Sequence, residues 1–131
     1  MYPAIVMEHF LNPRNIGVIE DAEVVIQVGD PACGDSLLLF LKIENNVVFD
    51  AKFRIKGCGA AIATSSMTTE MVKGMTLEEA LALTNEQVAE ALGGLPEEKM
   101  HCSSLVVGAV HAGILRYISP PEEYSDKRRK R

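Results

Sequence analysis

The most constraining stretch of this chain runs from Val47 to Ser66, where a strand pattern passes into a helix pattern through a glycine–cysteine–glycine corner. Val47, Phe49, Ala51, Phe53 and Ile55 alternate with Asp50, Lys52, Arg54 and Lys56. That period of two predicts a strand with its apolar set facing in and its charged set facing out. Gly57 and Gly59 flank Cys58, so the backbone can bend sharply and a bulky group can approach the thiol. The small residues that follow continue as a helix from Cys58 to about Lys73, with Gly74 as its stop. A helix opening at Gly59 or Ala60 sets Cys58 at its amino end, where unpaired N–H groups and the helix dipole favour a thiolate.

Two more strands precede this one. Val24, Ile26 and Val28 share one face between Ala22 and Gly29, opposite Glu23 and Gln27. Leu37, Leu39, Leu41 and Ile43 line one side of Ser36–Glu44, while Leu38 and Phe40 on the other side predict that part of the strand is covered twice. Asn45-Asn46 marks a two-residue turn, since asparagine tolerates positive φ. Three strands with short links make an antiparallel meander with one buried face, which helices must cover.

A first helix is expected at Ala4–Leu11, closed by Asn12-Pro13 and Gly17. His9 and Arg14 in this opening read as surface and capping residues. Thr76 with Glu79, and Thr84 with Gln87, are capping boxes that open two short helices. Gly93-Gly94-Leu95-Pro96 breaks the chain before a last helix from about Cys102 to Ile118. Val106, Ala109, Val110, Gly113 and Tyr117 recur there at helical spacing, and Pro120 and Pro121 end it. Strands first and helices after give an α+β fold: a three-stranded antiparallel sheet packed against helices, with a long C-terminal helix. A length of 131 residues suits one domain, 1–118, followed by a disordered basic tail, 119–131, that lacks any hydrophobic pattern.

No apolar run reaches the roughly 20 residues of a membrane helix. The start, Met1-Tyr2-Pro3-Ala4-Ile5, lacks the basic and apolar regions of a signal peptide, so the expected location is cytoplasmic, with no membrane partner. A net charge of −5 argues against nucleic acid as the main partner. Three widely spaced cysteines suit no small disulfide framework and point to reduced thiols that bind metal or react.

Cys33, in Pro31-Ala32-Cys33-Gly34-Asp35, falls between the first two strands, and Cys58 just after the third. In a meander those two points share one end of the sheet, and Cys102 opens a helix that can reach the same end. Three thiolates meeting there suit iron, zinc or copper(I). A closed tetrahedral site needs a fourth ligand, which either Asp35 or His101 can supply. A carboxylate or imidazole holds an iron–sulfur cluster less firmly than a thiolate, which is a defect in an electron carrier and useful in a protein that gives its cluster away.

The residues that carry a family resemblance are His9-Phe10-Leu11-Asn12-Pro13-Arg14-Asn15-Ile16-Gly17, Gly29-Asp30-Pro31-Ala32-Cys33-Gly34-Asp35, Lys56-Gly57-Cys58-Gly59-Ala60-Ala61-Ile62-Ala63-Thr64-Ser65-Ser66 and Lys99-Met100-His101-Cys102-Ser103. In that order and spacing the chain resembles the IscU/NifU-type iron–sulfur cluster assembly scaffolds (the NifU N-terminal-like family) from about Tyr2 to Ile118. The resemblance implies a non-enzymatic platform on which a transient [2Fe–2S] cluster is built from Fe2+ and persulfide sulfur and then passed to apo-proteins. It implies a pyridoxal-phosphate cysteine desulfurase of the IscS/NifS type as sulfur donor, a ferredoxin as electron donor and apo iron–sulfur proteins as recipients. Cys33, Cys58 and Cys102 match cluster ligands, and Cys102 also matches the persulfide acceptor, a role that calls for an accessible thiol. Asp35 matches the aspartate tied to iron entry and cluster lability, His101 the other fourth-ligand candidate, and Lys99 a basic residue beside the site. Leu95-Pro96-Glu97-Glu98-Lys99 departs from the Leu-Pro-Pro-Val-Lys segment of members served by a specialised Hsp70-type chaperone. The long insertion of SufU-type relatives between the second and third cysteines is absent, which favours the IscU/NifU branch and a stand-alone scaffold, with monomer and cluster-bound homodimer both left open. The alternatives are a zinc-bound sulfur carrier, with Zn2+ in the cluster-free site, an electron-transfer [2Fe–2S] protein, and a structural module with core cysteines.

Overall fold

The computed structural model describes residues 3–30 and 35–119. Cys33, the side chain of Asp35 and residues 120–131, which hold nearly all of the expected tail, lie outside that description. Strands β1 (Val24–Asp30), β2 (Asp35–Glu44) and β3 (Val47–Lys56) form one antiparallel sheet in the order β1-β2-β3. Asn45 and Asn46 both take positive φ, 55° and 61°, and so make the tight mirror-image turn that matches the twist of the strands they join. Helices α1 (Ala4–Leu11), α2 (Gly59–Val72), α3 (Leu77–Leu81), α4 (Asn85–Ala91) and α5 (Met100–Ile118) complete the α+β architecture. Both expected capping boxes are made, Thr76 with Glu79 and Thr84 with Gln87, each satisfying two backbone N–H donors reciprocally. Among the described residues no helix is long and apolar enough to cross a membrane.

The expected alternation along β3 breaks near its start. The pairing runs Lys42 with Asp50 and then Ile43 with Val48, so the register slips by one residue on β3. The slip throws Phe49 outward, where it is 63% exposed, and turns Val48 into the core in its place. Beyond the bulge Ala51 and Phe53 point inward as expected. On β2, Leu37, Leu39, Leu41 and Ile43 are buried on the inner face, and Phe40 on the outer face is buried too, in keeping with a strand covered twice.

Helices α2 and α5 lie across the inner face. Leu37, Leu39, Leu41 and Phe53 from the sheet meet Val106, Val110 and Ile114 from α5 in one apolar cluster. Each such fully buried side chain contributes roughly 1.5–3 kcal/mol relative to exposure. Ile114 rather than Tyr117 completes the buried stripe of α5; Tyr117 stays 39% exposed at the helix end. Gly113 sets the separation, because a Cβ there would stand 2.7 Å from Val24 Cγ1.

The amino-terminal segment is a strap over α2 and the edge of β3. Phe53 N donates to Asn15 O and Gly17 N to Phe53 O, each at 2.9 Å, which occupies backbone groups of an edge strand. Asn15 takes φ 67°, and its side chain bonds Thr69 Oγ1 (3.0 Å) and Glu70 Oε2 (2.9 Å) on α2 and Lys73 Nζ (2.9 Å) just past its end. His9 is not a surface residue: it is 8% exposed, with Nδ1 2.7 Å from Ser66 Oγ. Arg14 N donates to the same hydroxyl at 2.8 Å, while the Arg14 guanidinium pairs with exposed Glu8. With Ser66 Oγ accepting from Arg14, its own proton suits a neutral His9 ring. Burial, and then the Arg14 charge, hold His9 below its ordinary value of 6.5.

Two predictions follow from this packing. Gly113→Ala gains about 1 kcal/mol of helix propensity, but overpacking against Val24 costs about 1–3 kcal/mol. The expected result is a net loss in urea unfolding, larger still for Gly113→Val; unchanged midpoints in both would contradict the close approach. The unfolded chain binds a proton at His9 as pH falls through 6.5, while the native state binds it only lower down. Stability is therefore full above that value and declines as pH falls toward the depressed native value. Urea midpoints between pH 7.5 and 5 should show that decline in the wild type and less of it in His9→Gln.

Candidate functional site

The sulfur end of the molecule is where a strand end and two helix starts meet. β3 stops at Lys56, Gly57 turns the chain, and Cys58 caps α2 with an extended backbone (φ −78°, ψ 172°). Its carbonyl accepts the first helical bond, from Ile62 N at 3.1 Å. Cys102 is the third residue of α5, preceded by a single 3-10 turn at Glu97–Lys99. The two helices approach closely because α2 opens with small residues: Ala60 and Ala61 pack directly on Cys102, with Ile55 and Cys58 at the rim. Thr64 Oγ1, bonded to Ala61 O at 3.1 Å, reaches Cys102 O at 3.4 Å and ties one helix to the other.

This packing brings Cys58 Sγ to 3.8 Å from Cys102 Sγ. Lys99 Nζ lies 4.0 Å from Cys58 Sγ, and His101 Nε2 lies 3.6 Å from Cys102 Sγ. The other ring nitrogen of His101, Nδ1, is 3.1 Å from Glu98 O, which steadies the imidazole against the turn that carries it. A cation and the amino ends of a 14-residue and a 19-residue helix therefore face the two sulfurs. Such a setting favours negative charge on whatever occupies it.

The sulfurs differ in access. Cys58 is half-buried, whereas Cys102 is 1% exposed. The expectation of an accessible Cys102 is thus corrected: the first turn of α5 is pressed onto Ala60 and Ala61, and the thiol points between the helices. The backbone of Asp35 opens β2 beside the pair Ser36–Lys56, one step from the Gly57 corner that leads to Cys58. Among the described residues no group of three or more His, Cys, Asp or Glu side chains is arranged to hold a metal ion. Cys33 and the carboxylate of Asp35 lie outside them.

Two supporting residues went unread in the sequence. The Phe10 ring packs on Gly59 so closely that a Cβ there would stand 3.1 Å from it. The glycine beside Cys58 signals room for a bulky neighbour, but nothing local says that the neighbour comes from α1. Ser66, which joins His9 to the Arg14 backbone, sits in a run of small helical residues with no pattern to mark it.

The sequence matches the family described as NifU-like N terminal domain over residues 1–123. It is 56% identical over 117 residues to the Archaeoglobus fulgidus protein named iron-sulfur cluster assembly scaffold protein IscU 1, covering 89% of this chain and 76% of that one. The Aquifex aeolicus scaffold protein IscU is 51% identical over 119 residues, with the same coverage of 89% and 76%. Nitrogen fixation protein NifU of Azotobacter chroococcum is 48% identical over 118 residues, which make up 88% of this chain and 38% of that longer protein. The crystal structure of a NifU-like N-terminal protein from Brucella abortus superposes with a TM-score of 0.73 at 22% identity, covering 90% of this chain and 94% of that one, and speaks for the fold.

Proposed function

Since the chain belongs to the family of NifU-like N-terminal domains, we propose that it is a scaffold on which an iron–sulfur cluster is assembled and from which the cluster passes to apo-proteins. The observation that carries this reading is the pair of sulfurs 3.8 Å apart at two adjoining helix starts. Relatives named cluster assembly scaffolds, 56% and 51% identical over most of this chain, support it.

In this reading the cargo is a [2Fe–2S] cluster built from Fe2+ and persulfide sulfur. Cys33, Cys58 and Cys102 bind it, and Asp35 or His101 completes the ligand set. Three thiolates and one oxygen or nitrogen donor hold iron less firmly than four thiolates, which suits a cluster meant to leave. Cys102 accepts sulfur from a cysteine desulfurase, and Lys99 offsets negative charge at the neighbouring Cys58. Because Cys102 is packed under α2, delivery requires the Glu97–Lys99 turn or the Gly57–Gly59 corner to give way. A ferredoxin supplies electrons and apo iron–sulfur proteins receive the product. The chain itself catalyses no turnover and works in the cytoplasm.

The test is an anaerobic time course with ferrous iron, cysteine and a desulfurase, followed by visible absorption and then by addition of an apo-ferredoxin. A [2Fe–2S] spectrum should grow on the chain and move to the ferredoxin faster than free iron and sulfide rebuild it there. Persulfide without a cluster would instead indicate a zinc-bound sulfur carrier, and a cluster that stays put an electron carrier. Asp35→Ala should lose its cluster several-fold more slowly than the wild type; equal rates would remove Asp35 from that role.

A further inference from the structure

We propose that Cys58 is the resolving thiol of this site: it releases the sulfur carried on Cys102 as hydrosulfide by forming a Cys58–Cys102 disulfide. The inference rests on the scaffold reading for the arrival of sulfur at Cys102, and on geometry for what happens next. Sulfane sulfur in a persulfide is two electrons short of the sulfide a cluster contains, so a reductant must act before assembly. The nearest sulfur to Cys102 among the described residues is Cys58 Sγ, 3.8 Å away. A disulfide needs about 2 Å between sulfurs, so the gap closes with side-chain rotation and a small shift of one helix start.

The step balances within the chain. The Cys58 thiolate attacks Cys102 Sγ, the inner sulfur of the persulfide. A Cys58–Cys102 bond forms, the bond from Cys102 Sγ to the outer sulfur breaks, and hydrosulfide leaves with the electron pair. The two cysteines are oxidised by two electrons and the outer sulfur is reduced by two. A dithiol reductant, or two one-electron equivalents, must then reopen the disulfide before both sulfurs can bind iron.

Three features of the site suit this chemistry. Cys58 is half-buried and rides on the Gly57–Gly59 corner, whereas Cys102 is held inside the helix contact. The attacking thiol is therefore on the side with freedom to move, and the sulfur under attack is held in place. Lys99 Nζ, 4.0 Å from Cys58 Sγ, places a cation beside the attacking sulfur. Cys58 Sγ already stands 3.8 Å from Cys102 Sγ, so the neighbouring cysteine has the advantage of proximity over solution reductants.

The experiment uses the full-length reduced protein without iron or added thiol. Glutathione persulfide is supplied, hydrosulfide is measured, and non-reducing peptide mapping follows each cysteine. The wild type should release one hydrosulfide per chain and gain a Cys58–Cys102 cross-link with loss of two hydrogens. Cys58→Ser should release none from Cys102 and keep the mass of one extra sulfur there. Absence of the Cys58–Cys102 cross-link in the wild type overturns the proposal. So does a cross-link through Cys33, or a glutathione adduct on Cys102 of Cys58→Ser. Thermal unfolding of each variant checks that it is folded. Reconstitution of the reduced protein with ferrous iron and inorganic sulfide tests the scaffold reading separately, because that route bypasses the persulfide.

Discussion

Helix α5 is buried along Val106, Val110 and Ile114, and two close approaches near its ends set where it lies. At Gly113 the helix lies against Val24 with no room for another carbon. Eleven residues earlier, about 16 Å along the axis, Cys102 is pressed onto Ala60 and Ala61. The line of the helix is set by these contacts, so the position of Cys102 is inherited from the core. The small residues at each contact are what allow the approach. Larger side chains at either place would lift the helix and open the distance between Cys58 and Cys102.

The same arrangement gives the site its electrical character. Two helix amino ends point at one spot, and Lys99 and His101 arrive on the turn and first residues that start α5. In the proposed scaffold reading, an assembly of iron, sulfide and thiolates carries net negative charge that the two helix ends and Lys99 oppose. A cargo drawn by charge and gripped by few thiolates would be readily filled and emptied, the balance that separates a carrier of clusters from a protein that keeps one.

Much of this was legible in the chain because the signals were local. The strand alternations, the Asn45-Asn46 turn, the two capping boxes and the glycine stops each act over a few residues, and the elements they mark begin and end within about two residues of their expected limits. Cys58 and Cys102 were legible as a pair, since each lies at an element boundary, and the structure sets their sulfurs 3.8 Å apart. What escaped were matters of distant packing. Phe49 looks like a core residue until the bulge opposite Lys42 and Ile43 turns it out. His9 looks like a surface residue until Ser66, 57 positions away, takes its Nδ1. Cys102 looks exposed at a helix start until α2 is laid over it. A local pattern states which face is apolar, but it does not state which partner will cover it.

The strap formed by residues 3–17 has a consequence for how the chain acquires its structure. Its hydrogen-bonded anchors lie far downstream: Phe53 on β3, Ser66, Thr69 and Glu70 on α2, and Lys73 just past its end. The segment is synthesised before any of these anchors: Phe53 follows Asn15 by 38 residues and Lys73 by 58. Closing loops of 52 to 58 residues also carries an entropic cost that only a preformed surface can offset. The amino-terminal strap is therefore made first and docked late, a seam that closes over a sheet and helix already in place.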